Sequence, residues 1–232
     1  MMITVEWLGR VDYLTAWDEQ TKRVERHKQN ASEGDQILFV EHPPTYTLGS
    51  RGKLEHLLLN KEELAAEGII VHKVNRGGDI TYHGPGQLVA YPIFNLRRRS
   101  DQQGYEKFSI HQYVRDLEEV IIQAIRPFGL VGWRYPGYTG VWLGSKSDPR
   151  KVAAIGIHVS RGISSHGFAL NVDPNMTHFE HIIPCGIREH GVTSLSQELN
   201  RSIPLESLLS PFQLDFDKVF KHKIYTTAAK AD

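Results

Sequence analysis

The stretch from Arg76 to Gln87, R-G-G-D-I-T-Y-H-G-P-G-Q, constrains this chain more than any other. It holds four glycines and a proline in twelve residues. Glycine admits left-handed backbone and lets the chain close on neighbouring groups, at an entropic cost in folding. Ile69 to Val74 leads in as a strand, and Leu88 to Leu96 leads out as another. Gly84-Pro85-Gly86 alone would serve as an ordinary hairpin turn between them. With Arg76, Asp79, Tyr82 and His83 set among the glycines, the whole stretch reads as a loop that cradles a substrate.

Composition bounds the rest. A chain of 232 residues can bury a sizeable core, as one large domain or two small ones. Its 40% hydrophobic and 23% charged residues are those of a soluble globular protein. Zero formal net charge gives no global attraction to nucleic acid or membrane. No apolar run approaches the roughly 20 residues that span a bilayer. MMITVEWLGRVDY lacks a basic region followed by an apolar stretch, so no secretory signal is expected. Cys185 is the single cysteine, which excludes an intramolecular disulfide and points to a reducing, cytoplasmic setting.

Periodicity places the elements. Thr4 to Leu8 reads as a strand, and Asp12 caps a helix with Leu14, Trp17, Thr21 and Val24 along one face. Gln36 to Glu41 and Thr45 to Leu48 are strands around the His42-Pro43-Pro44 break, where His42 and Tyr46 read as packed or capping groups. Asn60 caps a short helix over Lys61 to Glu67. Pro92 inside Leu88 to Leu96 argues for an edge position or a bulge. Ser109-Ile110-His111-Gln112 has the form of a capping box. The helix it opens carries Val114, Leu117, Ile121 and Ile125 until Pro127. Three strands follow, Thr139 to Leu143, Val152 to Val159 and Gly167 to Val172. Thr193 and Ser194 cap a helix through Leu199. A helical region from Pro204 carries Leu205, Leu208, Leu209, Phe212, Phe216 and Phe220. The expected fold is α+β, a mixed β-sheet flanked by helices. A single domain over residues 1–232 is expected, with a C-terminal helical part from 193.

Phosphate signatures are missing: the sequence has no G-x-x-x-x-G-K-[S/T], and no G-x-G-x-x-G after a strand. Twelve histidines form no H-E-x-x-H, and one cysteine cannot build a cysteine-rich zinc site. His178 and His181 are an isolated pair, so neither a metal nor a cofactor is expected. The remaining nucleophile is Cys185. A lone cysteine is usually a small buried apolar residue, but Pro184-Cys185-Gly186 lies in a polar, irregular stretch. Gly186 would leave room beside the sulfur and offer N–H groups to a developing oxyanion. A thiolate needs a nearby cation or base. Lys151 opens K-V-A-A-I-G-I-H, where Ala153, Ala154 and Gly156 leave space for a ligand. Spacing does not choose between Lys151, His83 and His158 as its partner.

Three blocks occur in order between Arg76 and Leu195: RGGDITYHGPGQLVAYPI, RKVAAIGIHVSRGISSHGFALNV, and PCGI followed by VTSL. Together they resemble the lipoyl(octanoyl) transferases. The resemblance implies the fold of the biotin and lipoate protein ligase catalytic domains. It implies transfer of an octanoyl group from octanoyl-acyl carrier protein to one lysine of a lipoyl domain. Such domains belong to 2-oxoacid dehydrogenases and the glycine cleavage H protein. By match to the motifs, Cys185 would carry the acyl thioester, and Lys151 would lower its pKa and act as acid and base. Arg76, Gly77, Gly78, Asp79, Ile80, Thr81, Tyr82, His83, Ala154, Ile155, Gly156, Gly167, Phe168 and Ala169 would line the substrate pocket. Exchange between thiols is nearly balanced, so this reading needs no ATP.

Rival readings are an ATP-dependent lipoate or biotin ligase of the same fold, and an amidotransferase between lipoyl proteins. A non-catalytic lipoyl-domain binding module and a Cys–His hydrolase stand further off. Arg97-Arg98-Arg99 read either as solvated charges or as a docking patch for an acidic protein partner.

Overall fold

A computed structural model describes residues 2–30, 32–97, 109–183, 190–220 and 223–226. The chain opens with strand β1 (Met2–Arg10), helix α1 (Tyr13–Gln29), and strands β2 (Asp35–Glu41) and β3 (Thr45–Leu48). Helix α2 (Lys61–Ala66) and strands β4 (Ile70–Lys73), β5 (Ile80–His83) and β6 (Gln87–Ile93) bracket the glycine-rich stretch. Next come helix α3 (Ile110–Ile125) and strands β7 (Trp133–Tyr135), β8 (Tyr138–Ser145), β9 (Asp148–Ser160) and β10 (Ile163–Asn171). Strand β11 (Gly191–Val192), helices α4 (Leu195–Leu199) and α5 (Leu209–Phe220), and strand β12 (Lys223–Thr226) complete the described chain.

The strands form two sheets. Among the described residues the large sheet has nine strands in the order β12-β1-β2-β6-β10-β9-β8-β7, with β11 beside β9. It is mixed: β1 runs parallel to β2 and β12, and β11 parallel to β9, while β6, β10, β9 and β8 are antiparallel neighbours. The small sheet has the order β4-β3-β5. This is the expected mixed sheet flanked by helices.

Strand β6 is buried along its whole length because helices cover both faces of the sheet. Its period of two sends Leu88 and Ala90 to a core built with α3 and α5, and Val89 and Tyr91 to a second core under α1. Pro92 therefore lies on a central strand, not an edge. The Pro92 carbonyl accepts from Ser164 Oγ at 2.8 Å, so the amide edge of this residue faces β10. The β10 ladder stops two residues earlier, at Phe168–Ala90, and no hydrogen bond is asked of the proline nitrogen. Gly84-Pro85-Gly86 is likewise no hairpin. It carries the chain from β5 in the small sheet to β6 in the large one.

Two helical faces differ from expectation. Asp12 caps α1 by accepting from the Leu14 and Thr15 amides at 2.9 and 3.2 Å. The buried face is then Tyr13, Ala16, Gln20, Val24 and His27, whereas Leu14 is 46% exposed. Polar Gln20 is buried because its Oε1 accepts from the His166 amide at 2.8 Å. On α3, Leu117, Ile121 and Ile125 are core, but Val114 faces a cavity and Glu118 is buried. Arg115, Arg134 and the Gly140 amide donate to the Glu118 carboxylate at 2.6, 3.1 and 3.0 Å. Ser109 accepts from the Gln112 amide, yet Gln112 turns to Asp116, so the box is half made; Asn60 and Glu63 make both halves of theirs. No described helix is long and apolar enough to cross a membrane.

Helix α5 completes the larger core with phenylalanines. Phe216 meets the rings of Phe39, Phe94, Phe168, Phe212 and Phe220 at centroid distances of 5.7 to 6.5 Å. Phe216→Ala removes the hub of this cluster. It should cost about 3–5 kcal/mol, read from urea unfolding midpoints.

Candidate active site

A cavity of about 850 Å³ lies between the glycine-rich stretch and strands β6, β9 and β10. One wall is the loop Arg76–Asp79, which is sewn in from two sides. The amides of Gly49, Ser50 and Arg51, just past β3, donate to the carbonyls of Asp79, Arg76 and Gly78 at 3.1, 2.8 and 3.0 Å. From the other side, the Gly77 amide donates to Ile157 of β9 at 2.8 Å. A Cβ at Gly156 would stand 2.8 Å from the Gly77 carbonyl and 3.1 Å from Arg76 Cδ. Glycine is what lets β9 and the loop come this close. Arg76 itself is buried, with its guanidinium donating to the Thr47 carbonyl at 2.6 Å, to Thr47 Oγ1 at 2.9 Å and to the Gly77 carbonyl at 3.0 Å.

The deep wall beside Arg76 is polar, and its histidines are held neutral. His83 donates from Nδ1 to Gln87 Oε1 at 2.9 Å. Gln87 Nε2 donates to Asn171 Oδ1 at 2.9 Å, and Asn171 Nδ2 to the Thr193 carbonyl at 3.0 Å. His42 donates from Nδ1 to the Val11 carbonyl and accepts from the Tyr91 hydroxyl, both at 2.7 Å. Burial, with the neighbouring His42 and Arg76 charges, holds His83 well below the usual histidine range. Burial pushes His42 down to about 4, and burial with Arg76 and His158 pushes His166 to about 3. His166 also has a left-handed φ of 54°, a costly conformation for a residue with a side chain, just where β10 stops pairing with β6.

Lys151 stands on β9, with Nζ 4.8 Å from the centroid of the Trp142 ring. Val192 of β11 pairs with Lys151, and the Thr193 amide donates to the Lys151 carbonyl at 2.9 Å. The relay from His83 through Gln87 and Asn171 to Thr193 thus joins the glycine-rich stretch to the strand of Lys151. Cys185 lies outside the described residues, as do Arg98 and Arg99. The described chain beside Cys185 is tied to the cavity at both ends. Ile183 donates to the His56 carbonyl at 2.8 Å, Val192 pairs with Lys151, and His56, Val192 and Lys151 all line the cavity.

The structure gathers Lys151 and thirteen of the fourteen expected pocket residues around this cavity. The exception is Tyr82. The period of two along β5 turns it away from Thr81 and His83 into the core of the small sheet, where its hydroxyl and His178 Nδ1 are 2.7 Å apart. Tyr46 is packed there too, donating to the His178 carbonyl at 2.6 Å. His158 is not on the cavity wall. Tyr13, Tyr91, Gln87, Asn171 and His166 are further wall residues, and Arg51, Lys53 and His56 stand beside the loop. Gln87 closes the glycine-rich stretch and was open to recognition there. Tyr91, His166 and Asn171 lie inside the blocks that carry the resemblance. Tyr13, Arg51, Lys53 and His56 carry no local signal, because the topology brings them in from α1 and the segment after β3.

Residues 12–216 match the family described as the lipoyl protein ligase A/B catalytic domain. An octanoyltransferase of Chloroflexus aggregans is 45% identical over 204 residues, covering 88% of each chain. Among solved structures, a lipoate-protein ligase A bound with ATP superposes with a TM-score of 0.75 at 14% identity, covering 99% of this chain and 91% of the other. A biotin protein ligase from Aquifex aeolicus gives 0.51 at 16% identity, covering 94% and 70%. Those two likenesses speak for the fold. The chain belongs to the lipoyl protein ligase A/B catalytic domain family, and within it to the octanoyltransferases. It is an acyltransferase, acting in protein lipoylation by octanoyl transfer.

The neutral histidines make the fold acid-labile. Their folded pKa values lie below the ordinary 6.5, so their contribution to stability is present above pH 6.5 and is lost as pH falls toward about 4 for His42 and about 3 for His166. Urea midpoints should hold from pH 8 to 7 and fall steadily below pH 6.

Proposed function

We propose that this octanoyltransferase works through an acyl thioester on Cys185, taking the octanoyl group from octanoyl-acyl carrier protein. It then gives the group to one lysine of a lipoyl domain, as found in 2-oxoacid dehydrogenases and the glycine cleavage H protein. The observation that carries the reading is the meeting of Lys151, the glycine-rich loop and the small residues Ala154, Gly156, Gly167 and Ala169 around one cavity. Lys151 takes the proton of the Cys185 thiol as sulfur attacks the donor thioester, and returns it to the departing carrier thiol. Ile80, Val89, Ile155, Ile157 and Phe168 offer the acyl chain an apolar lining. The buried histidines behind them are held neutral, and the Arg76 guanidinium is already bonded to the Thr47 and Gly77 oxygens before the chain enters. Residues 1–232 act as a single catalytic domain in the cytoplasm, and Arg97 to Arg99 form a docking patch for the acidic donor protein. Transfer without ATP separates this enzyme from ligases of the same fold.

The reading is tested by intact mass after incubation with octanoyl-acyl carrier protein. The wild-type chain should gain one octanoyl group, labile to hydroxylamine and lost on adding a lipoyl domain; Cys185→Ser should gain none. An ATP requirement with free octanoate would establish the ligase reading instead. Burial of methylenes at about 0.8 kcal/mol each should make hexanoyl donors about 15-fold poorer in kcat/KM than octanoyl donors.

A further inference from the structure

Lys151 reaches the cavity because β9 breaks its alternation. Val141 pairs with Ala153 and Trp142 with Lys151, so β9 holds one extra residue, Val152, against a single step of β8. This is a β-bulge, a device that re-aims side chains. Val152 and Ala153 both enter the core with α3 and α5, while Lys151 and Ala154, three apart, both line the cavity. An unbroken period of two would have put Lys151 on one face with Ala153. At the same step β9 leaves β10, where Leu170 pairs with Ala153, and takes up β11, where Val192 pairs with Lys151.

The bulge also sets Lys151 against a ring. Its register partner is Trp142, and Nζ lies 4.8 Å from the ring centroid, within the reach of a cation–π contact. Trp142 is 1% exposed, and its indole is fixed by its neighbours. Nε1 donates to the Tyr138 carbonyl at 3.4 Å, and the rings of Tyr135 and His190 meet the indole edge-to-face at 5.3 and 5.8 Å. Gly140 leaves the lysine chain its path: a Cβ there would stand 3.5 Å from Lys151 Cε.

The other charges nearby have partners of their own. Glu118, behind Gly140, is bonded to Arg115, Arg134 and the Gly140 amide. Arg150, next to Lys151 in β9, pairs with Glu198 of α4. Across the cavity, burial keeps His83 and His166 neutral, Arg76 is bonded to Thr47 and Gly77, and Asp79 to His56. Arg51 and Lys53 stand exposed beside the loop. Tyr135, Tyr138 and His190 are the titratable groups of the ring cluster itself.

We propose that Trp142 is a positioning residue for the transfer: its ring face holds Lys151 Nζ at the cavity and favours the ammonium that Lys151 becomes between taking a proton and returning it. The proposal rests on the reading of Lys151 as acid and base. The proton moves only between sulfur and Nζ; the ring forms no bond and gives up no proton. A π face steadies a cation in a partly buried place without burying a second ion beside it.

The test reads the protonation of Lys151 directly. The whole enzyme is pulsed with acetic anhydride from about pH 7 to about pH 11, and acetylation of Lys151 is followed by peptide mass, since only the free amine reacts. Wild type is compared with Trp142→Leu and with a chain carrying trifluorotryptophan at position 142 alone. Fluorine nearly preserves the shape of the ring and drains its π face, so this chain decides the matter even where Trp142→Leu fails to fold. With the ring's attraction weakened, the amine appears at lower pH. The labelling midpoint should fall by about one pH unit in Trp142→Leu, and by less but in the same direction with trifluorotryptophan. The acid limb of kcat/KM for octanoyl transfer should move down by the same amounts. A midpoint that keeps its wild-type value in the fluorinated chain overturns the proposal and shows a ring that only fills space. A midpoint that falls while the acid limb stays put overturns Lys151 as acid and base, and the role of Trp142 in transfer with it.

Discussion

The hydrogen bond from the Gly77 amide to the Ile157 carbonyl, with no side chain at Gly156 to obstruct it, is the contact on which the site depends. It brings a loop of the small sheet against a strand of the large one. Without that approach the cavity has no second wall. Arg76 secures the same contact from inside. A buried guanidinium must spend its donors on fixed acceptors, and the Thr47 and Gly77 oxygens supply them. A cation that would be costly to bury becomes a rivet between β3 and the loop.

Around that rivet the molecule grades from neutral to chargeable. Inside, burial keeps three histidines unprotonated at neutral pH. At the rim, Lys53, His56 and Asp79 share one local network. The cavity therefore differs in character between its interior and its rim. The relay from His83 to Thr193 keeps the two ends in fixed relation, since it links the loop to the strand of Lys151.

Much of this was legible in the sequence, for reasons that differ by residue. The glycine-rich stretch and the lysine strand are contiguous, so their chemistry shows in one line of text. Asn60, Asp12 and Ser194 announce helix starts because capping is a local bond. Tyr82, which the resemblance implies on the pocket, packs in the small-sheet core, since a strand's period of two fixes alternation but not which side holds the cavity. Gln20 and Glu118 were unreadable as buried positions. Each is kept inside by a backbone amide that arrives from more than twenty residues away. His56 had no local mark at all; only the fold sets it against Asp79.

Strand β6 has a consequence for how such a chain can change over time. Its alternate residues serve two cores, Leu88 and Ala90 on one side, Val89 and Tyr91 on the other. Point changes on one face can be absorbed by their own layer. Inserting or deleting a single residue would exchange the two layers at a stroke, moving the Tyr91 hydroxyl into the phenylalanine core and an apolar side chain into the hydrogen-bonded wall. Length, more than identity, is what this strand has to conserve, and variation in chain length is free to accumulate only in the loops beyond its ends.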